Sequence, residues 1–283
     1  MTEVISCVFC NSKEAFQFRT RADIVKCFAC DLVYLRTRPT VEAMYEIYQV
    51  YANDTSHMRP PGSVLEARKS GLRRQYFVDE TISYLETKKE TWLDIGCGWG
   101  ALLDYSRELG FLPRGIELTR KCLDFATMQL GIPVSNAQFT DSQIADNSCS
   151  VVSMVHVLEH IPNPKEAIGK IYKILQPGGI FSGIIPNIES LCSETLKEDW
   201  VWLDPTHHYV HYSPKSIKNK LEEAGFVIKK IYTSVGDYDH DAFLDCIRTQ
   251  FALQDPVEIA KKVQTLEEMG KGEEIRFFAF KPA

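Results

Sequence analysis

The sequence predicts an α/β fold, an open and mostly parallel sheet with helices on both faces, carrying a small metal-dependent module at its N-terminus. Three observations predict it. From Thr91 onward, short apolar runs alternate with helical stretches, the pattern of a parallel sheet covered on both sides. A glycine-rich turn, Gly96-Cys97-Gly98-Trp99-Gly100, follows the first of those runs. Ahead of them, four of the nine cysteines fall in two close pairs.

Residues 1–40 hold Cys7, Cys10, Cys27 and Cys30 among short β-prone runs at Phe16–Phe18, Asp23–Lys26 and Leu32–Leu35. C-x2-C, sixteen residues, C-x2-C is the spacing of a four-thiolate zinc ribbon. Each pair sits on a tight knuckle, and two facing knuckles complete a tetrahedron at about 2.3 Å per Zn–S bond. Such a site is closed, so zinc reads as structural, in a module that braces the fold or covers the substrate. A segment this small cannot build a core of its own. Its folding is therefore expected to depend on metal and to melt separately from the rest when the metal is stripped.

Residues 41–86 read as a helical connector, broken at Arg59-Pro60-Pro61-Gly62. Tyr45, Tyr48 and Tyr51 recur every three residues along one helical face, as core packing or as a stacking wall for a sugar ring. Residues 87–283 form the main domain. Strands are predicted at Thr91–Ile95, Leu112–Glu117, Val151–His156, Gly179–Ile185, Val227–Ser234 and Glu274–Phe280, with helices at Ala101–Leu109, Arg120–Leu130, Lys165–Leu175 and Pro214–Ala224.

The formal charge of −6 gives no electrostatic reason to seek nucleic acid or an anionic membrane, so a small-molecule partner fits better. No apolar run approaches the roughly 20 residues of a membrane span, and the polar start lacks the features of a signal peptide. The chain is expected to be cytoplasmic, without membrane insertion.

The glycine turn admits two cofactors, because Gly96, Gly98 and Ala101 also satisfy the dinucleotide fingerprint of a nicotinamide-dependent oxidoreductase. Charge separates them. A dinucleotide brings an anionic pyrophosphate, whereas S-adenosylmethionine (SAM) brings an ammonium and a sulfonium. Asp94, at the threshold of the turn, suits the cations. Glu117, ending the second strand, can accept hydrogen bonds from a ribose in either case.

The runs LDIGCGWG (93–100), GIE (115–117), HVLEHIPNP (156–164), LQPGG (175–179) and GEEIRFFAFKP (272–282) resemble the successive motifs of class I SAM-dependent methyltransferases, over residues from about 73 to 283. The resemblance implies a Rossmann-like seven-stranded sheet whose last strand, Glu274–Phe280, inserts antiparallel. It also implies a SAM site built from Asp94, Gly96, Cys97, Gly98, Gly100, Glu117, Leu118 and His156. Relatives often place an acidic residue against the adenine, and a Phe-Asp pair before the fourth strand. Here Asn136-Ala137-Gln138-Phe139 and Cys149-Ser150 stand there, leaving Gln138 and Phe139 as the adenine contacts. The order of ribbon, core and DPTHHYVHYSPKSIKNKLEEAGF (204–226) is similar to a bacterial group that methylates sugars, polysaccharides and natural products. The implied acceptor is a hydroxyl of a sugar-derived or other small molecule.

His156-Val157-Leu158-Glu159-His160 also spells an inverted zincin motif, but His156 is expected to end a strand, which a protease helix would not allow. Similar clusters in ubiquinone-pathway methyltransferases are thought to bind a divalent metal. The aromatic segment from Trp200 to Tyr212 precedes a helix opened by Ser213-Pro214, so His207, His208 and His211 are expected to roof the acceptor site. Histidine is the natural base for a hydroxyl near neutrality. The resembling group carries a histidine at the place of His208, which implies His208 as the first candidate, ahead of His211 and His207, with His156 beside the cofactor. An RNA or protein methyltransferase that recognises its target through the ribbon, and a non-catalytic scaffold, are the remaining alternatives.

Overall fold

A computed structural model describes residues 1–53, 60–71, 74–236 and 240–282. Five short strands open the chain: β1 (Thr2–Val4), β2 (Ala15–Arg19), β3 (Ile24–Cys27), β4 (Val33–Leu35) and β5 (Thr37–Pro39). The connector is helical, with α1 (Val41–Asn53), α2 (Val64–Gly71) and α3 (Gln75–Ser83). Arg59 and the side chain of Tyr51 lie outside the described residues.

Strand and helix then alternate through β6 (Thr91–Ile95), α4 (Ala101–Glu108), β7 (Leu112–Ile116), α5 (Arg120–Met128), β8 (Val134–Ser135), β9 (Cys149–Val155), α6 (Pro164–Ile174) and β10 (Leu175–Pro186). Beyond them come α7 (Leu191–Leu196), β11 (Val210–His211), α8 (Pro214–Glu223), β12 (Val227–Ser234), α9 (His240–Phe251), α10 (Pro256–Glu268) and β13 (Glu274–Phe280).

Seven strands form the main sheet in the order β12-β13-β10-β9-β6-β7-β8. The five from β10 to β8 run parallel, and β13 lies antiparallel between β10 and β12, as expected for the final strand. Strand order reverses between β6 and β9, and the crevice at the carboxyl ends of these two strands is where open α/β sheets bind ligands.

Local chemistry accounts for the departures from the predicted elements. β9 stops at Val155 because His156 takes a left-handed backbone, φ 53°. β8 has only two residues, too few for a periodic signal, and is fixed by hydrogen bonds such as Glu117 N–H to the Ser135 carbonyl at 3.1 Å. Helices α7, α9 and α10 were not anticipated. The last nonetheless carries a readable start, with Asp255 accepting from the amides of Val257 and Glu258 and Pro256 at its first position.

The cysteine-bearing strands do not stand alone. β11, from the far side of the chain, adds to the sheet β11-β4-β3-β2, and one continuous core holds Cys7, Phe9 and Tyr34 together with Leu93, Phe181 and Phe277. The module is thus packed into the larger unit rather than standing apart from it.

Candidate active site

The glycine turn is built by its backbone. Gly96 has φ 71°, and a Cβ there would sit 2.4 Å from Val157 Cγ2, so a side chain is excluded on both counts. The amides of Gly96 and Cys97 both donate to the Ile116 carbonyl, at 2.8 and 3.1 Å, tying the turn to β7. Glu117, only 2% exposed, accepts from Gly98 N–H at 2.8 Å through Oε2 and from Thr119 N–H at 2.6 Å through Oε1. Asn136 in turn donates to the carbonyls of Glu117 and Leu118, at 2.9 and 3.2 Å.

A cavity of about 490 Å³ opens beside this turn. Its lining includes Ile95, Gly96, Ile116, Glu117, Leu118, Gln138 and Phe139, together with Met44, Tyr45 and Tyr48 of α1, His160 and Tyr209. None of its described lining residues is Lys or Arg, while Glu117 is joined there by Glu42, Asp141 and Glu166. Such a lining accommodates a sulfonium and an ammonium and gives a pyrophosphate no partner. Lys170 keeps its charge behind the wall, donating to the carbonyls of Phe139, Thr140 and Ser142 at 2.6, 3.0 and 2.6 Å, and so props the turn that presents Phe139.

Several expected site residues lie off the cavity wall. Asp94 is buried behind the turn, accepting from Ser153 Oγ at 2.6 Å, and the same hydroxyl accepts from Trp92 Nε1 at 2.8 Å. Burial pushes the Asp94 carboxyl up to about 7, with Ser153 opposing and the charge of Glu117 adding to the rise. Cys97 Sγ packs where a Cβ on Gly115 would have to go. Gly98 and Gly100, at φ 53° and 85°, shape the backbone that leads into α4.

His156 does not line the cavity. Its ring stacks on Trp202, centroids 5.0 Å apart, and bridges two buried carboxylates, with Nε2 3.1 Å from Glu274 and Nδ1 3.6 Å from Glu159. Burial alone would lower its pKa, but Glu159 and Glu274 outweigh it and raise it to about 10. A folded-state pKa above the ordinary value near 6.5 makes this stabilisation complete below about pH 6.5, and it is lost as pH rises through about 10. Urea denaturation at a series of pH values should therefore show stability declining across that window. His156→Gln should flatten the decline and cost about 3–5 kcal/mol by removing the cation that Glu159 and Glu274 share, Glu274 keeping Arg276 at 3.7 Å. An unaltered slope in the variant would assign the decline to other groups.

His160 and His208 meet edge to face, with centroids 4.6 Å apart. His160 Nδ1 donates to the His207 carbonyl at 2.9 Å and His208 Nδ1 to the Trp202 carbonyl at 2.8 Å, so each ring presents a bare Nε2. Burial, then the neighbouring His208, lowers His160 to about 4, and burial lowers His208 as well, so both rings are neutral near pH 7. Beside them Glu159, 1% exposed, has no hydrogen bond to either oxygen. His211, in β11, is buried farther back, 6.4 Å from the His208 ring, and burial pushes it down to about 3. His207 pairs instead with Asp204 at 2.7 Å. Of the four histidines from 160 to 211, only His160 is among the described cavity-lining residues; the sequence placed it with Glu159 near the pocket but not as the base. The zincin reading fails on geometry, because His160 lies in the single turn Leu158–His160 and His156 lies outside any helix.

An antiparallel final strand, a glycine turn at the switch point and an acidic cavity without basic residues define a SAM-dependent methyltransferase. The chain belongs to the methyltransferase domain family, whose match covers residues 71–231. It is 32% identical over 146 residues to a ubiquinone biosynthesis O-methyltransferase of Burkholderia vietnamiensis, covering 48% of this chain and 61% of that relative's length. Among solved structures it is similar to the geranyl diphosphate C-methyltransferase of Streptomyces coelicolor (14% identity, TM-score 0.56, 86% of this chain and 100% of that one). It is also similar to a SAM-dependent methyltransferase of Archaeoglobus fulgidus (20% identity, TM-score 0.53, 83% and 99%). At these identities the solved structures share the fold. No helix among the described residues is long and apolar enough to cross a membrane.

Proposed function

We propose that the chain transfers a methyl group from SAM to a hydroxyl of a small, sugar-derived or similar acceptor. The observation that carries this is one cavity whose lining brings together Glu117 and Phe139 with Tyr45, Tyr48 and His160. Bound SAM supplies an electrophilic methyl group. Glu117 is placed to take up the ribose hydroxyls, Gln138 and Phe139 the adenine, and the two tyrosines of α1 the flat or ring-shaped body of an acceptor. The O-methyltransferase name of the curated relatives supports a hydroxyl as the acceptor. His160 Nε2 takes the hydroxyl proton, and the neighbouring Glu159 carboxylate stabilises the imidazolium that forms. Thermal-shift titrations with SAM, S-adenosylhomocysteine (SAH) and NAD test the first half of this proposal. Stabilisation by NAD alone would return the site to an oxidoreductase.

Glu159, His160 and His208 also support a second reading, because their ligand atoms all lie within 4.8 Å of one another and both imidazoles are oriented through Nδ1. This fits the donor set of a divalent cation, which would lower the pKa of the acceptor hydroxyl. Turnover lost on chelation and restored by Mg²⁺ or Mn²⁺ alone would favour this reading over the base.

The four-cysteine module is proposed to hold zinc. Cys7 and Cys30 Sγ lie 3.5 Å apart, as do Cys10 and Cys27, and all four fall within 4.8 Å of one another. Elemental analysis should find one zinc per chain, and purified protein without zinc would end the claim.

A further inference from the structure

We propose that metal occupancy of the four-cysteine module positions the acceptor-site histidines, through a strand that the two units share. The proposal rests on the methyl-transfer reading only in calling His160 and His208 acceptor-site residues. The two cysteine knuckles are built alike. Cys7 N–H donates to the Ser12 carbonyl and Cys27 N–H to the Leu32 carbonyl, both at 2.9 Å, and Asn11 and Asp31 are left-handed, each with φ 59°. The second knuckle runs straight into β4, one residue after Leu32.

β4 is the partner of β11, with Val210 opposite Tyr34 and His211 opposite Val33. β11 pairs with no other strand among the described residues. Tyr209, just before it, is held from both directions. Its carbonyl accepts from Leu35 N–H at 3.0 Å, and its N–H donates at 2.9 Å to the carbonyl of Glu159. An unbroken backbone path therefore runs from the Cys27–Cys30 knuckle through β4 to His208–His211 and on to Glu159 and His160.

The larger unit grips the first knuckle as well. Lys165 on α6 donates to the Phe9 carbonyl at 3.0 Å, and Lys220 on α8, nearly fully buried, lies 5.3 Å over the Phe9 ring. The thiols of Cys30 and Cys7 are close enough to Lys220 to bear on its charge. Its ammonium is paired with Glu223 at 2.7 Å, so Lys220 joins the first knuckle to α8 chiefly by packing over Phe9. The sheet and the core hold the strands, and the two knuckles meet only at the four thiolates that a bound ion would bridge. Releasing it loosens β4, and β11 then has no strand to pair with.

The test uses the full chain labelled with ¹⁵N-histidine, with the His208 and His160 signals assigned by His208→Gln and His160→Gln. Zinc is removed by chelation while SAH affinity is followed by calorimetry. The expected result is that SAH affinity stays within about threefold. Amide exchange at Val33–Leu35 and Val210–His211 should accelerate roughly tenfold or more, and the His208 and His160 imidazole signals should shift or broaden. A second variant, Leu35→Pro, keeps the four cysteines but removes the amide that reaches Tyr209. It should reproduce the histidine change while Co²⁺ still gives a tetrahedral thiolate spectrum. Histidine signals unmoved by zinc removal, while the Val33–Leu35 amides lose protection, would overturn the proposal. So would SAH affinity collapsing together with the signals, because the coupling would then be global unfolding. A zinc-loaded protein that never bound SAH would count against methyl transfer, and the histidine signals would still decide the brace.

Discussion

Replacing His160 by Ala or Gln is expected to lower turnover roughly 10²- to 10⁴-fold while leaving SAM affinity nearly unchanged, the signature of a positioned base. His160 is the histidine on the cavity wall, and its Nδ1 is committed to the His207 carbonyl, which leaves Nε2 unprotonated for the proposed role as base. With its pKa lowered to about 4, first by burial and then by His208, the ring is neutral across the physiological range. Turnover should thus be flat with falling pH until it drops through about 4, where protonation removes the base. His208→Gln should cost less, since that ring lies behind His160 and touches it edge to face. Equal losses in His160→Gln, His208→Gln and Glu159→Gln would instead favour a metal held by all three. Full turnover in His160→Ala would leave proximity as the main source of acceleration.

The features legible in the sequence were those whose causes are local. Gly96 is required by its own φ and by Val157, the cysteine pairs by their spacing, and β6, β7 and β13 by short apolar runs. The order of the resembling motifs carried the antiparallel last strand. What escaped depends on distant partners. Asp94 and Glu117 look alike in sequence, yet only Glu117 lines the cavity, because Ser153 on the adjacent β9 holds Asp94 behind the turn. His208 stood out through its neighbours, but the bonds to Trp202 and His207 set His160 in front of it. Lys170, which props the Phe139 turn, is one lysine among many on amphipathic helices and carries no motif. That β11 completes the cysteine-bearing sheet is invisible to any local pattern, since its two residues lie some 175 positions from their partners in β4.

The second large effect is expected at Asp94, and it concerns SAM affinity rather than chemistry. Its carboxyl lies 4% exposed beneath the glycine turn, bonded to Ser153, and burial raises its pKa to about 7, so it titrates near neutrality. In the proposed binding mode SAM brings a sulfonium and an ammonium to the other side of that turn, and a nearby cation favours the ionised carboxylate. Binding should therefore release protons near pH 7, seen calorimetrically as a heat that depends on the ionisation enthalpy of the buffer. The sign for affinity follows. As pH climbs from about 6 to 8 the carboxyl ionises in the free protein and SAM binds more tightly. At an effective dielectric constant of about 20, two unit charges about 7–10 Å apart interact by about 1.7–2.4 kcal/mol, so on the proposed binding mode Asp94→Asn should weaken SAM roughly 20- to 60-fold near pH 8. Near pH 6 the loss should shrink, because the wild-type carboxyl is then mostly protonated. Glu117→Gln serves as the control. It removes a carboxylate that lines the cavity and holds Gly98, so it should weaken SAM without abolishing the dependence on pH. If Asp94→Asn bound SAM as wild type does, with the same buffer-dependent heat, the buried carboxylate would have no part in cofactor binding and the proton release would belong to another group.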